Sequence, residues 1–145
     1  MDDFNRRSAL SFGLLTAVAS PLLAFVSPAA AEVPKYGPTD GQDIGNGRRM
    51  VMLDKRESQI AAYKEIQVID IVYQPGAMDP ADSAPMDTDM ICFIIQGKFT
   101  IKKMGLDPYT ANEGEFYSCG KGKMDNATNI GDGVGIHRIA LLIPA

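Results

Sequence analysis

The side chains able to do chemistry in this sequence are few. The chain holds one histidine, His137, and two cysteines, Cys92 and Cys119. A closed zinc site would consume all of these and still fall short of four ligands, so a structural zinc is excluded. A softer set, Met86, Met90, Met104, Met124, Cys92, Cys119 and His137, carries the sulfur and imidazole donors that copper prefers. Against copper, the C-terminal spacing is nothing like a blue-copper loop, and methionine in a barrel is more often a flexible gap-filler. The cysteines leave two alternatives open. An even count in an exported protein suits a Cys92–Cys119 disulfide, whereas the apolar run around Cys92 suits a small buried thiol. A catalytic thiol would need His137 as its base, and no spacing supports that pairing. Asp87 and Asp89 flank Thr88, so their carboxylates share one side of an extended segment, either as a solvated acidic loop mouth or aimed at a cation.

These residues must be positioned by strands. Asp89 to Ile101 is an apolar, β-branched run interrupted by Gln96-Gly97, which predicts a β-hairpin; Gly114 to Gly122 is a second glycine-closed block. Upstream, Arg48 to Leu53 predicts a first strand, with a polar turn over 54–58 and at most one helical turn over 59–63. Glu65 to Gln74 is polar on one parity and then apolar on both, as in a strand buried more deeply at its far end, and Pro75-Gly76 stops it. Residues 77–88, with Pro80 and Pro85 among acidic residues, predict a loop. A turn at 105–108, a short strand at 126–130 and a last strand at 134–143 complete the chain. On that last strand His137, Ile139, Leu141 and Ile143 share one parity, which turns His137 toward the core. About eight short strands without a convincing helix predict an all-β sandwich or barrel and exclude parallel α/β architectures. The absence of tryptophan removes the Cys-Trp-Cys core of an immunoglobulin-like sandwich.

With 145 residues, 46% of them hydrophobic, the chain suits one domain with a real core. Its formal charge of -4 and its scattered basic residues exclude nucleic acid as a partner. Residues 1–31 read as a signal peptide: Arg6-Arg7 precedes an apolar stretch broken by Gly13, Thr16, Ser20 and Pro21 and ending in small residues. The arginine pair resembles a twin-arginine export signal; a general secretory signal is the alternative. No stop-transfer run follows, so a stable membrane span after signal removal is not expected, and the location expected is periplasmic or secreted. Residues 32–47, rich in Gly, Pro and Asp, predict a flexible tether, and the domain proper spans 48–145.

The order Pro75-Gly76, a polar loop, Met90 to Gly97, Gly114 to Gly122, then Asp125, Asn129 and Gly131-Asp132 resembles the two sequence motifs of the cupin superfamily from about Ile66 onward. The resemblance implies a single jelly-roll β-barrel. In cupins the motifs supply a His-x-His pair, a Glu and a further His to a metal. Here those positions fall near Ser83 to Met86, on Met90 and on Asp125, so no cofactor is expected. If a divalent metal is present, its alternative ligands are Asp87, Asp89, Asp125 and His137. The proline usual before the second-motif glycine is replaced by Gly120. What the motifs retain is turn and scaffold: Gly97, Gly114, Gly122, Asn129 and Gly131-Asp132.

The resemblance further implies a small-molecule ligand in the barrel mouth, near Met86, Met90, Cys92, Phe99, Tyr117, Met124, Asp125 and His137, a lining mostly apolar with a few polar groups. Three functions follow as expectations. The first is an exported, metal-independent binding or accessory protein. The second is a divergent metal-dependent oxygenase, isomerase or lyase. The third is a structural homodimer whose Met and Phe side chains simply fill the barrel.

Overall fold

The computed structural model describes residues 36–145; the signal expected over 1–31 lies outside the described residues. These contain nine β-strands and no helix: β1 (Gln42–Gly45), β2 (Arg48–Glu57), β3 (Tyr63–Tyr73), β4 (Asp89–Gln96), β5 (Lys98–Lys103), β6 (Tyr109–Asn112), β7 (Phe116–Cys119), β8 (Asp125–Asn129) and β9 (Gly135–Pro144). They form a six-stranded antiparallel sheet in the order β1-β2-β3-β9-β4-β7 and a three-stranded sheet in the order β6-β5-β8. Alternation decides what lies between them. Ile69, Ile71 and Tyr73 of β3 and Met90, Cys92 and Ile94 of β4 face Phe99 and Ile101 of β5 across one core. Tyr73 and Phe99 meet edge to face, centroids 5.1 Å apart.

The hairpin expected at Gln96-Gly97 does not form. β4 pairs with β7 and β9, β5 pairs with β6 and β8, and the chain crosses between sheets at Gly97. The Ile94 backbone bonds to Gly114 and Glu115 instead of to β5. Both runs carry a buried row, and only on opposing sheets can those rows pack against one another. The crossing demands glycine: Gly97 has φ 92°, and a Cβ there would lie 3.1 Å from the Gly135 Cα. The true hairpin joins β5 to β6 through the 105–108 turn, and β6 is too short and polar to stand out in the sequence.

Two other expectations are corrected. Residues 42–45 are not a tether: they pair with β2 as an edge strand. The polar stretch 54–57 is not a turn but the exposed end of β2, in register with β3 through Lys55 opposite Gln67 and Arg56 opposite Ile66. Its charges mark an edge near solvent, where Lys55 also meets Glu65 at 3.0 Å. β3 does become more buried toward its far end. Residues 59–62 form a turn with no helix.

Loop 77–88 is stitched across the barrel end. Asp79 N–H donates to Ala127 O, Met86 N–H to Lys123 O, and Gly122 N–H to Met86 O. Asn129, 1% exposed, holds the base of this loop. Its Nδ2 donates to the carbonyls of Tyr73, Gln74 and Gly133, and its Oδ1 accepts from Gly131 N–H. Asn129→Asp keeps the shape but removes both side-chain hydrogens, leaving buried carbonyls unpaired. It should destabilise the fold by about 2–4 kcal/mol, measured by urea denaturation at pH 7.

Candidate functional site

Under loop 77–88, between the sheets, lies a cavity of about 210 Å³ lined by Arg48, Ile71, Tyr73, Asp79, Pro80, Ser83, Met86, Met90, Asp125, His137 and Ile139. Arg48 opens β2, Tyr73 closes β3, Asp79 comes from the loop, Asp125 opens β8, and His137 lies on β9 opposite Ile71. Most of the lining is apolar, so each polar group has to be accounted for.

Asp79 is fully engaged. Its Oδ1 pairs with Arg48 Nη1 and accepts from the Tyr73 hydroxyl at 2.9 Å, while its Oδ2 accepts from Ala127 N–H at 2.7 Å. Arg48 in turn donates from Nε to the Gly45 carbonyl and from Nη2 to that of Ile44, and its guanidinium lies 5.9 Å from the Tyr73 ring centre. Burial, reinforced by the charge of Asp79, holds the Tyr73 phenol well above its usual range, so it remains a donor.

His137 and Asp125 are not fully engaged. His137, 3% exposed, is surrounded by the rings of Tyr73, Phe99 and Tyr117. Its Nε2 lies 3.1 Å from the Tyr117 hydroxyl, and its Nδ1 has no partner. Burial lowers its pKa to about 4, so the imidazole is neutral at pH 7. Asp125, 7% exposed, has an unpartnered Oδ2. Burial, then the negative charge of Asp79, raises its carboxyl to about 6, while Tyr117 and Lys103 act in the opposite sense. The cavity thus holds one saturated charge pair and two buried polar atoms with nothing to bind.

Of the eight residues expected from sequence, Met86, Met90, Asp125 and His137 line the cavity. Cys92 and Phe99 do not: both are 0% exposed and serve as core. Tyr117 supports His137 from behind, and Met124 lines a separate groove with Lys103, Met104 and Cys119. Arg48, Tyr73 and Asp79 escaped the sequence reading. The parity of Ile69, Ile71 and Tyr73 was a signal for the tyrosine; Arg48 and Asp79 are lone charges in polar stretches and gave none.

The alternative metal ligands are not brought together. Asp87 is exposed, and Asp89 is on the opposite strand parity from the inward Met90. The Asp89 carboxylate accepts from the Tyr63 hydroxyl at 2.8 Å and from Lys121 N–H at 2.7 Å, which holds its pKa low. Among the described residues no three of His, Cys, Asp and Glu gather around a common point. The donor set therefore does not fit the metal of the cupin motifs. The softer donors of the copper alternative are divided: Met86, Met90 and His137 line the cavity, Met104, Met124 and Cys119 line a separate groove, and Cys92 is core. Met90 pairs with Leu141 while His137 pairs with Ile94, four residues further along β4. At ~3.3 Å per residue the two backbones stand about 13 Å apart, so the Met90 and His137 side chains enter the cavity from different levels of the sheet.

Of the two alternatives left open for the cysteines, the structure has the free, buried thiols. Cys92 lies opposite Tyr117 and Cys119 opposite Met90, so the cysteines are diagonal neighbours and both thiols are free. Diagonal positions stand about 7–8 Å apart, beyond the ~4 Å Cβ spacing of a disulfide. Burial pushes both thiols up, so neither is an activated nucleophile, and the only imidazole faces Tyr117.

No protein-family model matches the sequence, and no curated protein matches it. Solved structures match by fold. An RmlC-like cupin from Shewanella frigidimarina aligns with a TM-score of 0.56 at 17% identity, over 77% of this chain and 89% of that one. KdgF from a Halomonas species gives 0.55 at 14% identity, over 71% and 86%. A sugar phosphate isomerase of the cupin superfamily from Silicibacter pomeroyi gives 0.50 at 14% identity, over 66% and 59%. At these identities the likeness is one of fold: this is an all-β, cupin-like jelly-roll barrel.

The two unpaired groups pull stability in opposite directions. The depressed histidine contributes stability above its unfolded value of 6.5, lost as pH falls toward 4. The raised carboxyl costs nothing below 3.8, and its cost grows as pH rises to 6. Asp125→Asn removes the second effect alone. At pH 8 it should stabilise the protein by about 1–3 kcal/mol and at pH 3.5 by almost nothing, leaving a stability that climbs between pH 4 and 6.5 where the parent is flatter. Urea denaturation across this range is the measurement.

Proposed function

We propose that this protein is an exported, cupin-like binder of a small, partly apolar molecule, held in the barrel without the metal of the cupin motifs. One observation carries the reading: Asp125 Oδ2 and His137 Nδ1 are buried, lack partners and belong to residues lining the same apolar cavity. Folding gains nothing from burying such atoms. A ligand that satisfies them would supply a reason for their presence, and hydrophobic walls with a few convergent polar groups are the usual form of a small-molecule site. The volume of about 210 Å³ equals roughly seven water molecules, which sets the ligand at the size of a small metabolite.

In this reading Ile71, Met86, Met90 and Ile139 take the apolar body of the ligand, and Asp125 and His137 orient it. Arg48, Tyr73 and Asp79 keep the lid loop in place. The export half rests on the Arg6-Arg7 pair and its weakly hydrophobic sequel.

Two measurements test the two halves. A metabolite panel should contain compounds that raise the melting temperature of the wild-type protein by several degrees, and the cavity-filling variant Ile139→Phe should lose that response while remaining folded. A panel without any hit, or a response unchanged in the filled variant, overturns the binding reading. Elemental analysis finding one iron, manganese, nickel or copper per chain, removed by Asp125→Ala, would replace it with the metal-dependent enzyme. For export, Arg6→Lys combined with Arg7→Lys should trap the precursor in the cytoplasm; export unaffected by the change points to the general secretory route.

A further inference from the structure

The charges around the cavity narrow its ligand to one class. Arg48 and Asp79 neutralise each other, and every acceptor of Asp79 and donor direction of Arg48 described above is already occupied. Acting on Asp125 from the other elements are Asp79 of the loop, Tyr117 of β7 and Lys103 of β5, while His137 of β9 lines the same cavity. Lys103 is the cross-strand partner of Asp125, yet its ammonium is directed elsewhere. It donates to the Ser118 carbonyl at 2.6 Å, rests 4.4 Å from the centre of the Tyr117 ring and lines the neighbouring groove. Asp125 is left as a carboxylate with an unpartnered oxygen in a site otherwise without net charge.

We propose that the cavity takes a small primary amine as its ammonium ion, with the N–H donors on Asp125 and a short apolar body against Ile71, Met86, Met90 and Ile139. This deepens the binding function proposed above and rests on it. An ammonium supplies a hydrogen bond to the unpartnered Oδ2 and a positive charge within the cavity, where Lys103 acts only from the neighbouring groove, and a hydrogen bond between two charged groups is about twice as strong as a neutral one. A carboxylate or phosphate ligand would bring a second negative charge beside Asp125 and Asp79, which the site rejects. An alcohol supplies a donor but no countercharge.

Butylammonium, butanol and butyrate, which share one apolar body and differ in the polar head, provide the test at pH 7.5. His137 is the sole histidine, so in protein freed of any affinity tag its imidazole C–H signals in the proton NMR spectrum report the cavity alone. Butylammonium should move those signals and raise the melting temperature at concentrations where butanol and butyrate do neither. Asp125→Asn, which is expected to fold with undiminished stability, should weaken the amine roughly tenfold or more. Butanol or butyrate acting as strongly as the amine, or an amine response that survives Asp125→Asn, overturns the choice of ligand class and leaves binding in the cavity standing. Silence from all three probes and from the metabolite panel overturns both.

Discussion

The structure turns on one largely buried ion pair. Arg48 at the start of β2 and Asp79 in the loop after β3 meet beside the Tyr73 hydroxyl, and Asp79 also receives the Ala127 N–H of β8. One carboxylate thereby ties together the large sheet, the small sheet and the segment that crosses their open end. A buried pair of this kind contributes little net stability over apolar packing, but losing one partner strands the other charge. Its value here is geometric: it fixes where loop 77–88 lies, and so where the roof of the cavity is. The energetic asymmetry within the site follows. The acid that is saturated belongs to the scaffold, and the acid that is not, Asp125, faces the space the scaffold encloses.

The same contrast separates the residues that hold the barrel from those that line its cavity. Turns and crossings need particular backbone conformations, so Gly97 and Asn129 are held in place by geometry whatever the site does. Ligand positions are free of that constraint. With a thioether at Met90 and a carboxylate at Asp125, the lining is mostly apolar and holds few hard donors.

How far the sequence can be read follows the same division. The β-rich class, the loop over 77–88 and the inward parity of His137 were legible because alternation and turn residues act over a few positions. The Gln96-Gly97 hairpin misled for a physical reason: local sequence prescribes a bend there, but whether the next strand returns beside the last or crosses to another sheet depends on Gly135, distant in the chain. The charged end of β2 looked like a turn because edge strands carry the same residues that turns do. Within the site, Asp125 and His137 could be found by motif spacing and parity. Arg48 and Asp79 could not, since nothing in either neighbourhood announces a partner about thirty residues away.

The order of strands in the large sheet also governs when the molecule can assemble. β9, the last ten residues but one, sits in the interior of that sheet between β3 and β4, with Arg138 clasping Asp70 from 68 positions away. Until β9 arrives, β3 and β4 each present a bare hydrogen-bonding edge to solvent. Such topologies fold slowly, because the pairings that complete the sheet join positions far apart in the chain. By filling the gap between β3 and β4, β9 also closes the two edges most open to pairing with a second chain, so the strand that completes the sheet is the one that guards it against aggregation.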